Sequence, residues 1–306
     1  MSFKVTILGS SGALPALGRF PSAQYLNIQN HHFLIDCGEG AQMQMIKHLV
    51  PIHKIERIFI SHLHGDHYLG LMGLLFSMHL NKRVNDLHLH APKGLDEIIL
   101  LQLKYSKSSL NYPIHFHSTD TEKAYVLWED DSMTVSTIPL QHKVACAGFL
   151  FREKKKVRRI DKTKLPDGLL LQQIASLKTG NDVTDVDGKI LYRNEDLTLP
   201  PKPSYSYAYC SDTAPFDEIK SSIMGVDLLY HESTFMEAER NKAVETMHST
   251  AMDAARIAHS VNAGKLIIGH FSARYKELED MLAEARTIFR NTELAIEGNS
   301  FELDLQ

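Results

Sequence analysis

Four side chains able to hold a metal ion crowd into one short stretch. They are His62, His64, Asp66 and His67, within Ile60-Ser61-His62-Leu63-His64-Gly65-Asp66-His67-Tyr68-Leu69-Gly70. Packing alone gives no reason for that composition. Adjacent imidazoles repel once protonated, and a buried carboxylate is costly without a partner. A divalent cation removes both costs, because it takes neutral imidazole nitrogen and carboxylate oxygen as ligands. His62 and His64 alternate, so extended backbone points them the same way. Asp66 and His67 follow Gly65 and can face a second ion nearby. The spacing therefore predicts two metals. The bland alternative is a polar loop that happens to be rich in histidine.

Such a loop needs strands to place it and to bring it partners. Ile58-Phe59-Ile60 reads as a strand leading into it, and Leu69 to Phe76 as the start of a buried helix. Upstream, Phe3 to Leu8 alternates like a strand and ends in Gly9-Ser10-Ser11-Gly12. No GK[ST] and no full G-x-G-x-x-G follows, so this is a tight turn rather than a nucleotide fingerprint. Tyr25 to Ile28 and Phe33 to Asp36 form a hairpin around Asn30. Gln42, Met45, Ile46 and Leu49 make a helical stripe that stops at Pro51. Val84 to His90 reads as a strand and Leu95 to Tyr105 as a helix. Further on, Val135 to Leu140 ends at His142, and Ser206 to Cys210 ends at Ser211-Asp212. Val226 to Tyr230 ends at His231-Glu232-Ser233-Thr234, and Lys265 to Ile268 at Gly269-His270. Thr250 to Val261 and Lys276 to Phe289 read as helices. The polar residues capable of ligation or acid–base work thus lie just past the carboxyl ends of apolar strands. In α/β folds that edge is where ligands bind, so distant residues converge on one site.

The candidates for a two-ion site are His62, His64, Asp66, His67, His142, Asp212 and His270. A carboxylate between two ions holds them about 3.5–4 Å apart, and Asp212, alone on its strand end, suits that place. Two ions with nitrogen and oxygen ligands suit hydrolysis, since they make hydroxide available at neutral pH and neutralise phosphorus-bound oxygens. Asp66 could also accept a proton from the attacking water. Glu232 and His248 could serve the leaving oxygen, the carboxylate orienting the imidazole as an acid. A competing role for His248 is to cap the helix that opens at Ser249 or Thr250.

The bulk composition narrows the class. At 43% hydrophobic and 23% charged, the 306 residues are those of an ordinary globular protein. A net charge of -4 means that any nucleic-acid contact must come from a local basic patch. Cys37, Cys146 and Cys210 lie far apart, which argues against a thiolate zinc site or a disulfide framework and fits a reducing compartment. The first residues lack a signal-peptide core, and no apolar run is long enough to span a bilayer, so a cytoplasmic location without membrane contact is expected. One segment, Arg152 to Pro203, shows little core-forming periodicity. It opens with the basic run Lys154, Lys155, Lys156, Arg158 and Arg159 and closes with Pro200-Pro201-Lys202-Pro203. It reads as an insertion projecting from one domain that spans residues 1–306.

His62-Leu63-His64-Gly65-Asp66-His67 resembles the signature of the metallo-β-lactamase superfamily. Other stretches resemble the ribonuclease Z family of tRNA 3′-processing endonucleases: Gly9 to Pro15 with Arg19 and Ser22, Ile35 to Gln42, Ser211-Asp212-Thr213, His231 to Phe235, His248-Ser249-Thr250, and His270 to Tyr275. The resemblance implies an α/β fold in which two sheets are sandwiched between helices (αββα), with two Zn²⁺ per subunit. It implies His62, His64 and His142 on one ion, Asp66, His67 and His270 on the other, and Asp212 between them. It implies that Asp66 takes a proton from water and that His248, with Glu232, protonates the leaving 3′ oxygen. The expected products are tRNA with a 3′ hydroxyl and a trailer with a 5′ phosphate. The family is usually homodimeric, and a projecting arm, matching residues 152–203 here, clamps precursor tRNA. The basic run and Arg274 are the expected RNA contacts, each neutralised phosphate steepening the salt dependence. Mn²⁺ fits the same ligands as Zn²⁺. The chain departs from the family at Ser233, where Ala is common, and at Gln173 to Gly180, which holds no Gly-Pro pair. Two other functions share these features. One is hydrolysis of small phosphodiesters, sulfate esters or lactones on the same scaffold; the other is metal-stabilised RNA binding without turnover.

Overall fold

The computed structural model describes residues 3–16 and 18–303. Two seven-stranded sheets face each other, in the orders β18-β1-β2-β3-β4-β5-β6 and β17-β16-β15-β14-β9-β8-β7. The first sheet contains β1 (Phe3–Gly9), β2 (Ala23–Ile28), β3 (His31–Ile35), β4 (Arg57–Phe59), β5 (Leu87–Ala91) and β6 (Ile114–Ser118). The second begins with β7 (Val126–Glu129), β8 (Met133–Pro139) and β9 (Ala147–Glu153). An excursion follows, carrying β10 (Arg159–Ile160), β11 (Val183–Thr184), β12 (Ile190–Tyr192) and β13 (Thr198–Leu199). The chain then re-enters the second sheet as β14 (Ser206–Cys210), β15 (Leu228–Glu232), β16 (Lys265–Gly269) and β17 (Thr292–Leu294), and β18 (Ser300–Glu302) returns to pair with β1.

Alternation of side chains along each strand makes three apolar layers from two sheets. Phe33 and Phe59 point between the sheets, where they meet Phe149, Phe151, Tyr207 and Tyr230. Their neighbours Leu34, Ile58 and Ile60 point the other way, against α1 (Ala41–Lys47), α3 (Leu71–Leu80) and α4 (Leu95–Tyr105), with the single turn α2 (Gly65–Tyr68) between. The excursion holds α5 (Leu171–Lys178) and α6 (Asn194–Leu197). On the second sheet, Ala208, Leu229, Leu266 and Ile268 face α7 (Ile219–Ile223), α9 (Ala251–Ser260) and α10 (Glu279–Arg286), and α8 (Arg240–Thr246) precedes α9. The result is the αββα sandwich of the metallo-β-lactamase fold. Strands buried on both faces read as continuous apolar runs, as these do. Each fully buried Phe or Leu contributes about 1.5–3 kcal/mol.

The β2–β3 hairpin turns through Gln29 and Asn30, both at positive φ (54° and 70°), the geometry that suits a two-residue hairpin. β5 starts three residues later than the apolar pattern of Val84 to His90 predicts. The Arg83 side chain donates to the carbonyls of Asn85 and Asp86 and bends the chain there, leaving Val84 exposed. α10 is likewise shorter than Lys276 to Phe289. In the segment 152–203, β10 pairs with β13, β11 pairs with β12, and Leu177, Val183 and Leu197 close a small core of their own. Both ends of that segment leave the second sheet side by side, where Arg152 of β9 opposes Ser206 of β14. No helix among the described residues is long and apolar enough to cross a membrane.

Candidate metal centre

β4 and β5 run parallel, as do β14, β15 and β16, and β8 points along with them, so their carboxyl ends lie on one edge. The residues just past those ends meet there. His62 Nε2 lies 3.0 Å from His64 Nδ1, which in turn lies 3.3 Å from His142 Nε2. Asp212 Oδ2 faces this set, 3.7 Å from His62 Nε2 and 3.9 Å from His142 Nε2. Its other oxygen, Oδ1, lies 3.4 Å from His67 Nε2 and 3.2 Å from His270 Nε2. Asp66 Oδ2 completes that second set at 3.4 Å from both of these nitrogens. All seven residues singled out in the sequence are thus brought together, and the two oxygens of Asp212 divide them into two groups.

The donor set fits divalent cations. Nitrogen ligands at about 2.0–2.1 Å from a tetrahedral ion stand about 3.3 Å from one another, close to the spacings here. His67 Nε2 is buried and has no hydrogen-bond partner among the described residues, which is costly unless something else takes its lone pair. On three of these histidines the other ring nitrogen is already engaged. His67 Nδ1 donates to Asp36 Oδ2 at 2.7 Å, and His142 Nδ1 to the Met247 carbonyl at 3.1 Å. His270 Nδ1 contacts Thr234 Oγ1 at 2.9 Å. Such outer contacts fix the tautomer that leaves Nε2 free to ligate.

The electrostatics call for positive charge. Burial alone would raise the pKa values of Asp66 and Asp212, yet the surrounding imidazoles hold both below the carboxylate range. Burial works against a proton on His67, but Asp212, Asp36 and Asp66 together push its pKa well up. His62, buried beside His67, is pushed well down, and burial lowers His142. Carboxylates that raise one imidazole while burial and mutual repulsion depress others describe a pocket better served by cations than by protons.

Beside this centre sits a buried pair. Glu232 Oε1 lies 2.7 Å from His248 Nδ1 and accepts from the Thr213 N–H at 3.0 Å. Its other oxygen accepts from the Thr234 N–H and hydroxyl at 2.9 and 2.7 Å. Burial lowers the pKa of His248, but the Glu232 carboxylate prevails and raises it to about 9. The imidazole stacks on His270, ring centroids 5.4 Å apart. It does not cap a helix. Thr250 caps α9, accepting from the Asp253 N–H while the Asp253 side chain reaches back to the Thr250 N–H.

The basic run is less free than its charge suggests. Lys154 pairs with Glu129 at 2.5 Å, and Lys156 with Glu153 at 2.8 Å. Arg158 donates to Thr198 Oγ1 at 2.7 Å and Arg159 to the Pro200 carbonyl at 3.0 Å. Lys155 is exposed at the surface. Arg274 lies near the centre, paired with Glu239 at 2.6 Å and over the Phe235 ring.

Three residues of the site had no sequence signal of their own. Asp36 is fully buried, with φ +54°, and collects four donors: the Ser61 N–H and hydroxyl, His67 Nδ1, and the Tyr209 hydroxyl. Thr234 joins Glu232 to His270. The Ala13 N–H donates to Asp66 Oδ2 at 2.8 Å. All three lie within the stretches that resemble the ribonuclease Z family, but only the adjacency of β3 and β4 shows what Asp36 holds.

Fold and site together define a metal-dependent hydrolase of the metallo-β-lactamase fold. A family model described as Anti-Pycsar protein Apyc1 matches residues 3–170, and over that span the chain belongs to this group. Over its whole length the chain belongs to the ribonuclease Z family. It is 49% identical over 301 residues to ribonuclease Z of Cytophaga hutchinsonii, covering 98% of this chain and 96% of that protein. It is 45% identical to ribonuclease Z of Bacteroides fragilis, covering 97% of each. Among solved structures it is similar to the short form of human tRNase Z, with a TM-score of 0.69 and 25% identity, covering 97% of this chain and 98% of that one.

Proposed function

We propose that this chain is a zinc-dependent endoribonuclease that removes the 3′ trailer from precursor tRNA. The cut leaves a 3′ hydroxyl on the tRNA and a 5′ phosphate on the trailer. What supports this most is one juxtaposition, a carboxylate facing two sets of ligating atoms with a carboxylate-held imidazole at its side. In this reading His62, His64 and His142 hold one ion, Asp66, His67 and His270 the other, and Asp212 both. Bound there, the ions supply Lewis acidity, which makes water a nucleophile at neutral pH and offsets charge on the phosphate oxygens. Asp66 accepts the proton that the attacking water gives up. His248, kept protonated and aimed by Glu232, gives a proton to the leaving 3′ oxygen. Mn²⁺ is a second metal that these ligands accommodate.

The segment 152–203 acts as an arm on one metallo-β-lactamase-fold domain and grips the tRNA away from the cut. Lys154, Lys155, Lys156, Arg158 and Arg159 meet phosphates there, and Arg274 meets RNA near the centre. The enzyme works as a homodimer in the cytoplasm. An end-labelled precursor tRNA tests the reading. The expected result is one cut at the 3′ end of the tRNA body, abolished by chelator and slowed about 10²–10⁴-fold in Asp66→Ala. Cutting that ignores chelator, or near-parental turnover by Asp66→Ala, would overturn it.

A further inference from the structure

The loop joining β1 to β2 walls one side of the metal centre. Its Ala13 N–H donates to Asp66 Oδ2, the oxygen that also faces His67 and His270. No other backbone N–H among the described residues donates to Asp66. Gly12 passes so near His270 that a Cβ there would lie 2.8 Å from Cε1. Ala13 has φ +67°, a conformation costly for a residue with a side chain, so its surroundings must hold it.

The hold comes from the far end of the chain. Glu297 Oε1 accepts from the Ser10 N–H at 3.1 Å, the Ser10 hydroxyl at 3.0 Å and the Phe20 N–H at 3.0 Å. Those donors sit on the two stems of the loop, which the Ser11 N–H closes by donating to the Phe20 carbonyl at 2.8 Å. One oxygen thus pins both stems, and the loop between them presents the Ala13 N–H to Asp66.

We propose that Glu297 is a positioning residue that fixes the orientation of Asp66 through the loop that joins β1 to β2. The inference rests on the function proposed above, in which Asp66 both holds an ion with His67 and His270 and takes the proton from water. Reach and an acceptor oxygen are what the clamp needs. Glu297→Gln keeps both and loses the charge, whereas Glu297→Asp keeps the charge and loses the reach.

The test compares the zinc-loaded full chain with these two variants, following zinc release into excess chelator and cleavage of precursor tRNA. Glu297→Asp is expected to release zinc about tenfold faster and to lose about tenfold in kcat at unchanged KM. Glu297→Gln is expected to stay within about twofold of the parent on both measures. The reverse ranking would assign the effect to the charge and overturn the clamp. Parental zinc release in Glu297→Asp would overturn it as well. Zinc release decides the clamp by itself, whereas a parent that fails to cut precursor tRNA would sink the proposed function.

Discussion

Asp36→Asn changes almost no volume and removes a charge from behind one candidate ligand. Asp36 offers four acceptor contacts, at 2.8 Å to the Ser61 N–H, 2.9 Å to the Ser61 hydroxyl, 2.7 Å to His67 Nδ1 and 2.7 Å to the Tyr209 hydroxyl. An Asn can keep its oxygen toward the Ser61 N–H, but its NH₂ then confronts the other three donors. The two hydroxyls can rotate. The imidazole can adapt only by moving its proton to Nε2, the atom that faces Asp66 and Asp212. A protonated Nε2 is no ligand, so binding loses the contribution of His67. Loss of such an outer partner typically lowers metal affinity 10–100-fold, which is about 1.4–2.7 kcal/mol. A donor left unpaired in the interior costs folding about 1–3 kcal/mol more. Competition with a coloured chelator reads the first effect and a urea midpoint the second. Zinc bound to Asp36→Asn in full number at parental affinity would refute the chain from carboxylate to tautomer to ligand.

His248→Ala should slow cleavage of a poor leaving group, such as a ribose 3′ oxygen, far more than that of a nitrophenyl ester, which leaves without a proton. Equal loss on both substrates would remove His248 from proton donation. Replacing Lys154, Lys155, Lys156, Arg158 and Arg159 with Ala should weaken precursor tRNA binding and flatten its salt dependence, while hydrolysis of a small phosphodiester stays near parental; equal losses on the two substrates would place the run outside a remote clamp. His31 bridges Glu56 at 2.9 Å and Asp130 at 2.8 Å. The bond to Glu56 raises its pKa against the opposing effect of burial, and the charges of Glu56 and Asp130 add to the rise. A raised pKa stabilises the fold fully below the unfolded value, near 6.5, and that stability fades as pH climbs through the folded value. For this partly exposed bridge the contribution is about 1 kcal/mol at most. The gap in urea midpoint between the parent and His31→Gln should therefore shrink from pH 6 to pH 9, and a constant gap would show that the charge does not contribute.

What could be read from the chain and what could not divides along a physical line. Strands buried on both faces announce themselves as apolar runs, so the ends that carry Asp212, Glu232 and His270 were legible, whereas β8, before His142, is half-buried and shows only alternation. The edge strands β6 and β7 were not, because exposed positions interrupt them with polar side chains such as His115 and Glu129. Identity of a ligand is local chemistry, but what aims it is topology. Asp36 holds His67 from 31 residues away, and Glu297 holds Ser10 from 287 residues away. No spacing in the sequence encodes either contact. The same limit applies to charge. The run from Lys154 to Arg159 was visible, whereas its partners Glu129 and Thr198 were not, and those partners decide how much of that charge faces solvent. His248 shows the line most sharply. Its spacing to Thr250 allowed a capping role and an acid role alike. Once Thr250 takes the cap through Asp253, the imidazole is left to Glu232, and what remains to measure is whether a leaving group feels its proton.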